Sequence, residues 1–183
     1  MEKFKNKYRV ESARLYGYDY GQNGAYFITI CTKDRFHHFG KISNGKMELS
    51  EIGKYASECW SNIPKHFPFV ELGEFVIMPN HVHGIIVINK TNEDEYQIPF
   101  NEINQPFYKS TYKNQFGPQS KNIASIVRGF KIGVTKNAKH INPDFKWQAR
   151  FHDHIVRNEK SFNHIQNYIL NNPLKWSQDT FYN

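Results

Sequence analysis

Cysteine is almost missing: Cys31 and Cys59 are the only two in 183 residues, and no Cys-x-x-Cys pair links them. That argues against a disulfide framework and a cysteine zinc knuckle, and leaves two reduced, packed thiols. Long apolar runs are absent as well. No stretch approaches the roughly 20 residues that a membrane-spanning helix needs. The opening Met1-Glu2-Lys3-Phe4-Lys5-Asn6-Lys7 is charged, with no apolar segment behind it, so no secretion signal is read and a cytoplasmic location is the expectation. Acidic residues are the scarcer charge: 17 Asp and Glu face 24 Lys and Arg, a formal net charge of +7. A basic excess of this kind is the footprint of a polyanion partner, although by itself it only raises the expectation of nucleic acid.

What is present suggests one domain with a proper core, since roughly 100–200 residues per domain is usual. Residues 1–24 are polar, basic and tyrosine-rich, and read as an arm able to touch phosphates. Ala25 to Thr32 is the first strand, rich in β-branched and aromatic residues. Asn44-Gly45 marks a tight hairpin between Phe39–Ile42 and Lys46–Leu49. Ser50 then caps a helix whose buried face is Ile52, Tyr55, Ala56, Cys59, Trp60 and Ile63, and Pro64 is expected to stop it.

A central hairpin follows, Val70 to Met78 and His81 to Asn89, with Pro79-Asn80 at its turn. Residues 90–120 have no period and read as a mobile insertion. The helical period returns with Ile123, Ile126, Val127, Phe130 and Val134, while Lys121, Arg128, Lys131, Lys136 and Lys139 lie mostly off that stripe. Arg150 to Arg157 alternates as a last strand. A closing helix starts at Asn158 or Ser161 and runs to about Asn172, before Pro173.

With the small hairpin set aside, this is the β-α-β-β-α-β order of an α+β, ferredoxin-like sandwich with an antiparallel sheet and one helix added at the end. The domain is expected over 25–176, with a short tail at 177–183.

The chemistry concentrates in Met78-Pro79-Asn80-His81-Val82-His83-Gly84. Alternation in a strand places His81 and His83 on one face, followed there by Ile85 and Val87; the other face carries Val82, Gly84, Ile86 and Ile88. Apolar residues on both faces mark a strand covered on each side, its histidine end opening toward a site. Two neutral imidazoles so placed can share one metal ion, each keeping its second nitrogen for an orienting hydrogen bond. They can equally be satisfied polar groups near a sheet edge. On the closing helix Phe162, Ile165 and Ile169 form the packing stripe, and Tyr168 and Asn172 lie one turn apart beside it. Spacing alone leaves Tyr168 as either an amphipathic packing residue or a nucleophile.

Three separated blocks carry a resemblance: Met78 to His83, then Trp147 through Phe151-His152-Asp153-His154-Ile155-Val156-Arg157, then Tyr168-Ile169-Leu170-Asn171-Asn172-Pro173-Leu174-Lys175-Trp176. In that order and spacing, over about residues 20 to 176, the chain resembles the IS200-like single-tyrosine transposases with the His-hydrophobic-His (HUH) signature, and most of all their REP-associated branch.

The resemblance implies metal-dependent breakage and rejoining of single-stranded DNA that carries imperfect hairpins, through a 5′-phosphotyrosine intermediate. It places Tyr168 on the nucleophile, His81 and His83 on the metal pair, Asn172 on the third ligand one turn after the tyrosine, and Mg²⁺ or Mn²⁺ as the ion. Arg128, Lys131, Arg150, Arg157 and Lys175 are the residues expected to track the DNA backbone while bases stack on exposed aromatics. His152 and His154 share a strand face and form a rival, lower-ranked metal pair. The runner-up reading is a non-catalytic module that holds nucleic-acid hairpins; a weaker third is a phosphodiesterase using water. Either a monomer or a homodimer is compatible with the sequence.

Overall fold

The computed structural model describes residues 15, 18–90 and 120–182. The arm expected over 1–24 falls largely outside the described residues, as does nearly all of the insertion expected over 90–120. The elements are β1 (Gly24–Cys31), β2 (Gly40–Ser43), β3 (Lys46–Leu49), α1 (Glu51–Ser61), α2 (Ile63–His66), β4 (Val70–Ile77), β5 (His81–Ile88), α3 (Ile123–Ile141), β6 (His152–Val156) and α4 (Glu159–Asn171). A 3-10 segment, Pro173–Gln178, follows α4.

The main sheet has the order β4-β5-β1-β6 with every neighbouring pair antiparallel. This is the expected α+β, ferredoxin-like arrangement, and it makes β5 and β1 the interior strands. The two β strands around Asn44-Gly45 pair with each other as a separate ribbon. Asn44 and Gly45 both adopt positive φ, 50° and 71°, as a two-residue hairpin turn demands.

Helices α1, α3 and α4 each begin at a side-chain cap. The Ser50 hydroxyl accepts from Gly53 N–H, Asn122 and Ser125 form a reciprocal capping box, and Asn158 Oδ1 accepts from Ser161 N–H. Pro64 does close α1, but the chain does not leave the helical region there. Pro64 sits in the first turn of α2, where its missing N–H has no intrahelical partner to lose. The last strand is shorter than the expected Arg150 to Arg157, because Arg150 takes a left-handed backbone at φ 67° and breaks the extension.

The two faces of the sheet are covered by different helices. On one face Tyr26, Ile28, Ile30, Val82, Ile86 and Ile88 meet Ala56 and Trp60 of α1 and Ile126, Val127, Phe130 and Val134 of α3. Gly84 belongs to this face and leaves room for the Trp60 indole; a Cβ there would lie 2.3 Å from a ring carbon. On the other face Ala25, Ile85 and Val156 pack with Ile169 of α4, joined by Phe162 and Ile165. Helix α4 lies mainly against β4 and β5, and reaches β1 and β6 through Ala25, Phe27 and Val156.

Candidate active site

Period-two alternation puts His81 and His83 on the α4 face, and the interior position of β5 buries them: His81 is 0% and His83 2% exposed. Their rings are 4.4 Å apart between centroids. Each imidazole is oriented through Nδ1. His83 Nδ1 is 2.9 Å from Thr29 Oγ1 on β1, the residue directly opposite it in the register. His81 Nδ1 is 2.8 Å from Asn80 Oδ1.

The His81 tautomer follows from its surroundings. Asn80 Nδ2 donates to the Phe181 carbonyl at 2.8 Å, which turns Asn80 Oδ1, an acceptor only, toward His81. His81 Nδ1 therefore carries the proton, and Nε2 keeps a free lone pair. That Nε2 is buried and has no hydrogen-bond partner. Burial pushes His81 well below the ordinary histidine value, and the neighbouring His83 and Arg35 push the same way. Burial likewise lowers His83, to about 4. Both rings are neutral at pH 7, the state a metal ligand requires.

Helix α4 brings in the tyrosine. Ile169 is fully buried and anchors the helix rotation; Tyr168, about 100° round the axis, emerges at the edge of that contact. Its hydroxyl lies 3.2 Å from His83 Nε2, and its ring meets Phe27 edge-on. Burial raises the Tyr168 phenol, as does the negative charge of Asp179, so in the metal-free site it is protonated at neutral pH. Asn172, one turn on, is 2% exposed. Its Nδ2 donates to Asp179 Oδ2 at 2.9 Å, and its Oδ1 is buried without a partner.

His81, His83, Tyr168 and Asn172 thus converge. The five basic residues expected to track DNA do not join them. Arg128, Lys131 and Arg150 line an open groove beside α3, on the opposite face of the sheet, with Ile132, Thr135 and Phe151. Lys131 lies over the Trp147 ring and donates to the carbonyls of Gln148 (2.9 Å) and Arg150 (2.5 Å), and burial lowers it to about 8. Its ammonium holds the turn before β6. Arg157 and Lys175 are exposed. His152 and His154 share the sheet face of His81 and His83, one strand away across β1, but both are exposed and neither belongs to a metal-competent cluster among the described residues.

Sequence reasoning missed Asp179. A ligating atom each from His81, His83 and Asp179 lie within 4.8 Å of one another. Asp179 falls in the stretch expected as a short tail, with no periodicity to announce it, and the segment actually lies over the histidines. Thr29 and Asn80 were also unassigned, although the register of two antiparallel strands and the position before the histidine both held them in view.

No protein-family model matches the chain. A protein of Haemophilus influenzae of uncharacterised activity is 45% identical over 172 residues, covering 93% of this chain and 92% of that one. A second Haemophilus influenzae protein, named "Putative REP-associated tyrosine transposase", is 26% identical over 160 residues, 87% of this chain and 76% of the other. Among solved structures, a REP-associated tyrosine transposase bound to a REP hairpin superposes with a TM-score of 0.56 at 19% identity, over 93% of this chain and 76% of that one. The chain thus shares the fold of a REP-associated tyrosine transposase and is similar in sequence to a protein named as one, in keeping with the IS200-like transposases that its motifs resemble.

Proposed function

We propose that this chain is a transposase of the REP-associated kind, which cleaves and rejoins single-stranded DNA with Tyr168 as nucleophile and a divalent cation, Mg²⁺ or Mn²⁺, held by His81 and His83 with Asn172 as third donor. The observation that carries this reading is the convergence of the Tyr168 hydroxyl, 3.2 Å from His83 Nε2, with an unpartnered, fully buried His81 Nε2. Orphaned buried acceptors are costly, on the order of 1–3 kcal/mol each, and a cation is the natural partner for a bare imidazole lone pair and an amide oxygen. The donor set fits such an ion.

The cation would neutralise a phosphate oxygen as charge builds and favour the phenolate. The chain's own residues do the rest. Asn80 holds His81 in the tautomer that offers Nε2, and Thr29 orients the His83 ring through Nδ1. Ile169 and its neighbours fix α4 so that Tyr168 faces the histidines. The Tyr168 oxygen attacks phosphorus in line as its proton leaves. An Oη–P bond forms, the P–O3′ bond breaks, and the departing oxygen takes up a proton as a free 3′-hydroxyl. Attack by a 3′-hydroxyl on the phosphotyrosine reverses the step and joins strands without a nucleotide cofactor. A hairpin-bearing single strand is the proposed substrate, in line with the REP hairpin bound by the structural relative.

The test is a denaturing-gel assay on end-labelled, hairpin-bearing single strands with Mn²⁺, Mg²⁺ or chelator, comparing the native chain with Tyr168→Phe. A metal-dependent covalent adduct that vanishes in the variant is the expected result. Cleavage persisting in Tyr168→Phe would instead establish water as nucleophile, and tight binding without cleavage would establish a hairpin-binding module.

A further inference from the structure

The segment after α4 reaches a part of the site that neither the histidine strand nor the tyrosine helix supplies. Pro173–Gln178 turns the chain back, and Asp179, Thr180 and Phe181 then cross the histidines. Arg35 Nη1 donates to the Thr180 carbonyl at 2.9 Å, Asn80 Nδ2 to the Phe181 carbonyl at 2.8 Å, and Phe181 N–H to Asp179 Oδ1 at 2.7 Å. The Phe181 ring stands 4.7 Å from the His81 ring and 5.0 Å from the Arg35 guanidinium.

We infer that Asp179 is itself a ligand of the divalent cation, and that cation binding and the docking of Asp179–Phe181 over the histidines are one coupled event. The inference rests on the reading of His81 and His83 as a cation site.

Charge is the first argument. Two neutral imidazoles and a neutral amide give a buried divalent ion no compensating charge, and the nearby Arg35 opposes it. Asp179 supplies a carboxylate within 4.8 Å of both histidines, in the sole metal-competent cluster of His, Cys, Asp and Glu among the described residues. Neighbouring donor atoms around one such ion at a bond of about 2.1 Å stand about 3.0 Å apart, so side-chain adjustments of up to about 1.8 Å close the set.

Orientation is the second argument. Asn172 Nδ2 donates to Asp179 Oδ2 and aims that carboxylate, as an outer partner does for a ligand. The third is continuity. The chain of contacts that fixes the His81 lone pair runs from the Phe181 carbonyl through Asn80 to His81 Nδ1, so the same segment that carries the carboxylate also sets the imidazole. Linkage then requires that the cation stabilise docking by as much as docking strengthens the cation.

The experiment titrates Mn²⁺ into the full chain by calorimetry, for the native protein, Asp179→Asn, Asp179→Glu and His81→Ala. Hydrogen exchange at the Phe181 amide is followed with and without Mn²⁺. Asp179→Asn should weaken Mn²⁺ binding at least tenfold, Asp179→Glu should weaken it less, and His81→Ala should abolish it. Mn²⁺ should slow exchange at Phe181 in the native chain and not in Asp179→Asn. Asp179 is half-buried, and an unchanged melting temperature without metal will show that the variants are folded. Native affinity retained within twofold in Asp179→Asn, with binding lost in His81→Ala, overturns the role of Asp179 and leaves the histidine site standing. No saturable Mn²⁺ binding, or binding indifferent to His81→Ala, overturns the histidine site and this inference with it.

Discussion

His81-Val82-His83 on β5 and His152-Asp153-His154 on β6 are the same alternating pattern, on the same face of one sheet, with only β1 between them. Thr29 stands opposite His83 on one side and opposite His152 on the other. Only the first pair is closed from water. β5 is interior and has α4 above it, whereas β6 is the edge strand and α4 leans the other way, over β4 and β5. Burial strips the first pair of solvent and forces each ring to find protein partners through Nδ1, which leaves His81 Nε2 unpartnered and His83 Nε2 facing the Tyr168 hydroxyl. Exposure leaves the second pair hydrated and without the convergence a metal needs. The strand that a His-x-His pattern occupies therefore decides whether its rings are buried and converge with other donor atoms.

The comparison breaks most sharply at the residues themselves. His81→Ala or His83→Ala is expected to reduce strand cleavage by about a thousandfold or more, as loss of a member of an interdependent catalytic set does. His152→Ala and His154→Ala should leave cleavage within a few fold of native. The same gel assay reads all four, and a collapse of activity in His152→Ala would erase the distinction between the pairs. Thr29→Val probes the residue the pairs share. It removes the oxygen that orients His83 and should cost about 10–100-fold in Mn²⁺ affinity, measured by calorimetry, with the fold intact.

Stability separates the faces next. Gly84→Ala drives a methyl into the Trp60 indole and should destabilise the protein by about 1–3 kcal/mol in urea unfolding. The pH dependence of stability is a gentler probe of the buried pair. His83 is depressed to about 4 from an ordinary 6.5, so the unfolded chain binds more protons between those values. The metal-free protein should keep its full stability above about pH 6.5 and lose part of it as pH falls toward 4. His83→Gln should flatten that slope in thermal melts at pH 7.5, 6 and 5.

Much of this was legible in the chain. Period-two alternation assigned His81 and His83 to one face, and Phe162, Ile165 and Ile169 set the packing stripe from which Tyr168 and Asn172 lean out. Caps at Ser50 and Asn158, and the Asn44-Gly45 turn, are local signals that the fold obeys because each satisfies a backbone requirement on the spot. Asp179 carried no such signal, since a carboxylate in an aperiodic segment gains its meaning only from what lies beneath it. Lys131 was legible as a cation off the apolar stripe, but its bonds to the carbonyls of Gln148 and Arg150 depend on where the turn before β6 passes.

The sequence by itself determined the elements, their order, and the face on which each histidine and the tyrosine stand, because hydrogen bonding, side-chain alternation and capping act between near neighbours. Only the tertiary structure decided which histidine pair is buried, which residue orients each ring, and that Asp179 and Phe181 lie over His81. Those outcomes depend on strand order, on the tilt of α4 and on a return of the chain, and each joins residues far apart in sequence through contacts that no local pattern encodes.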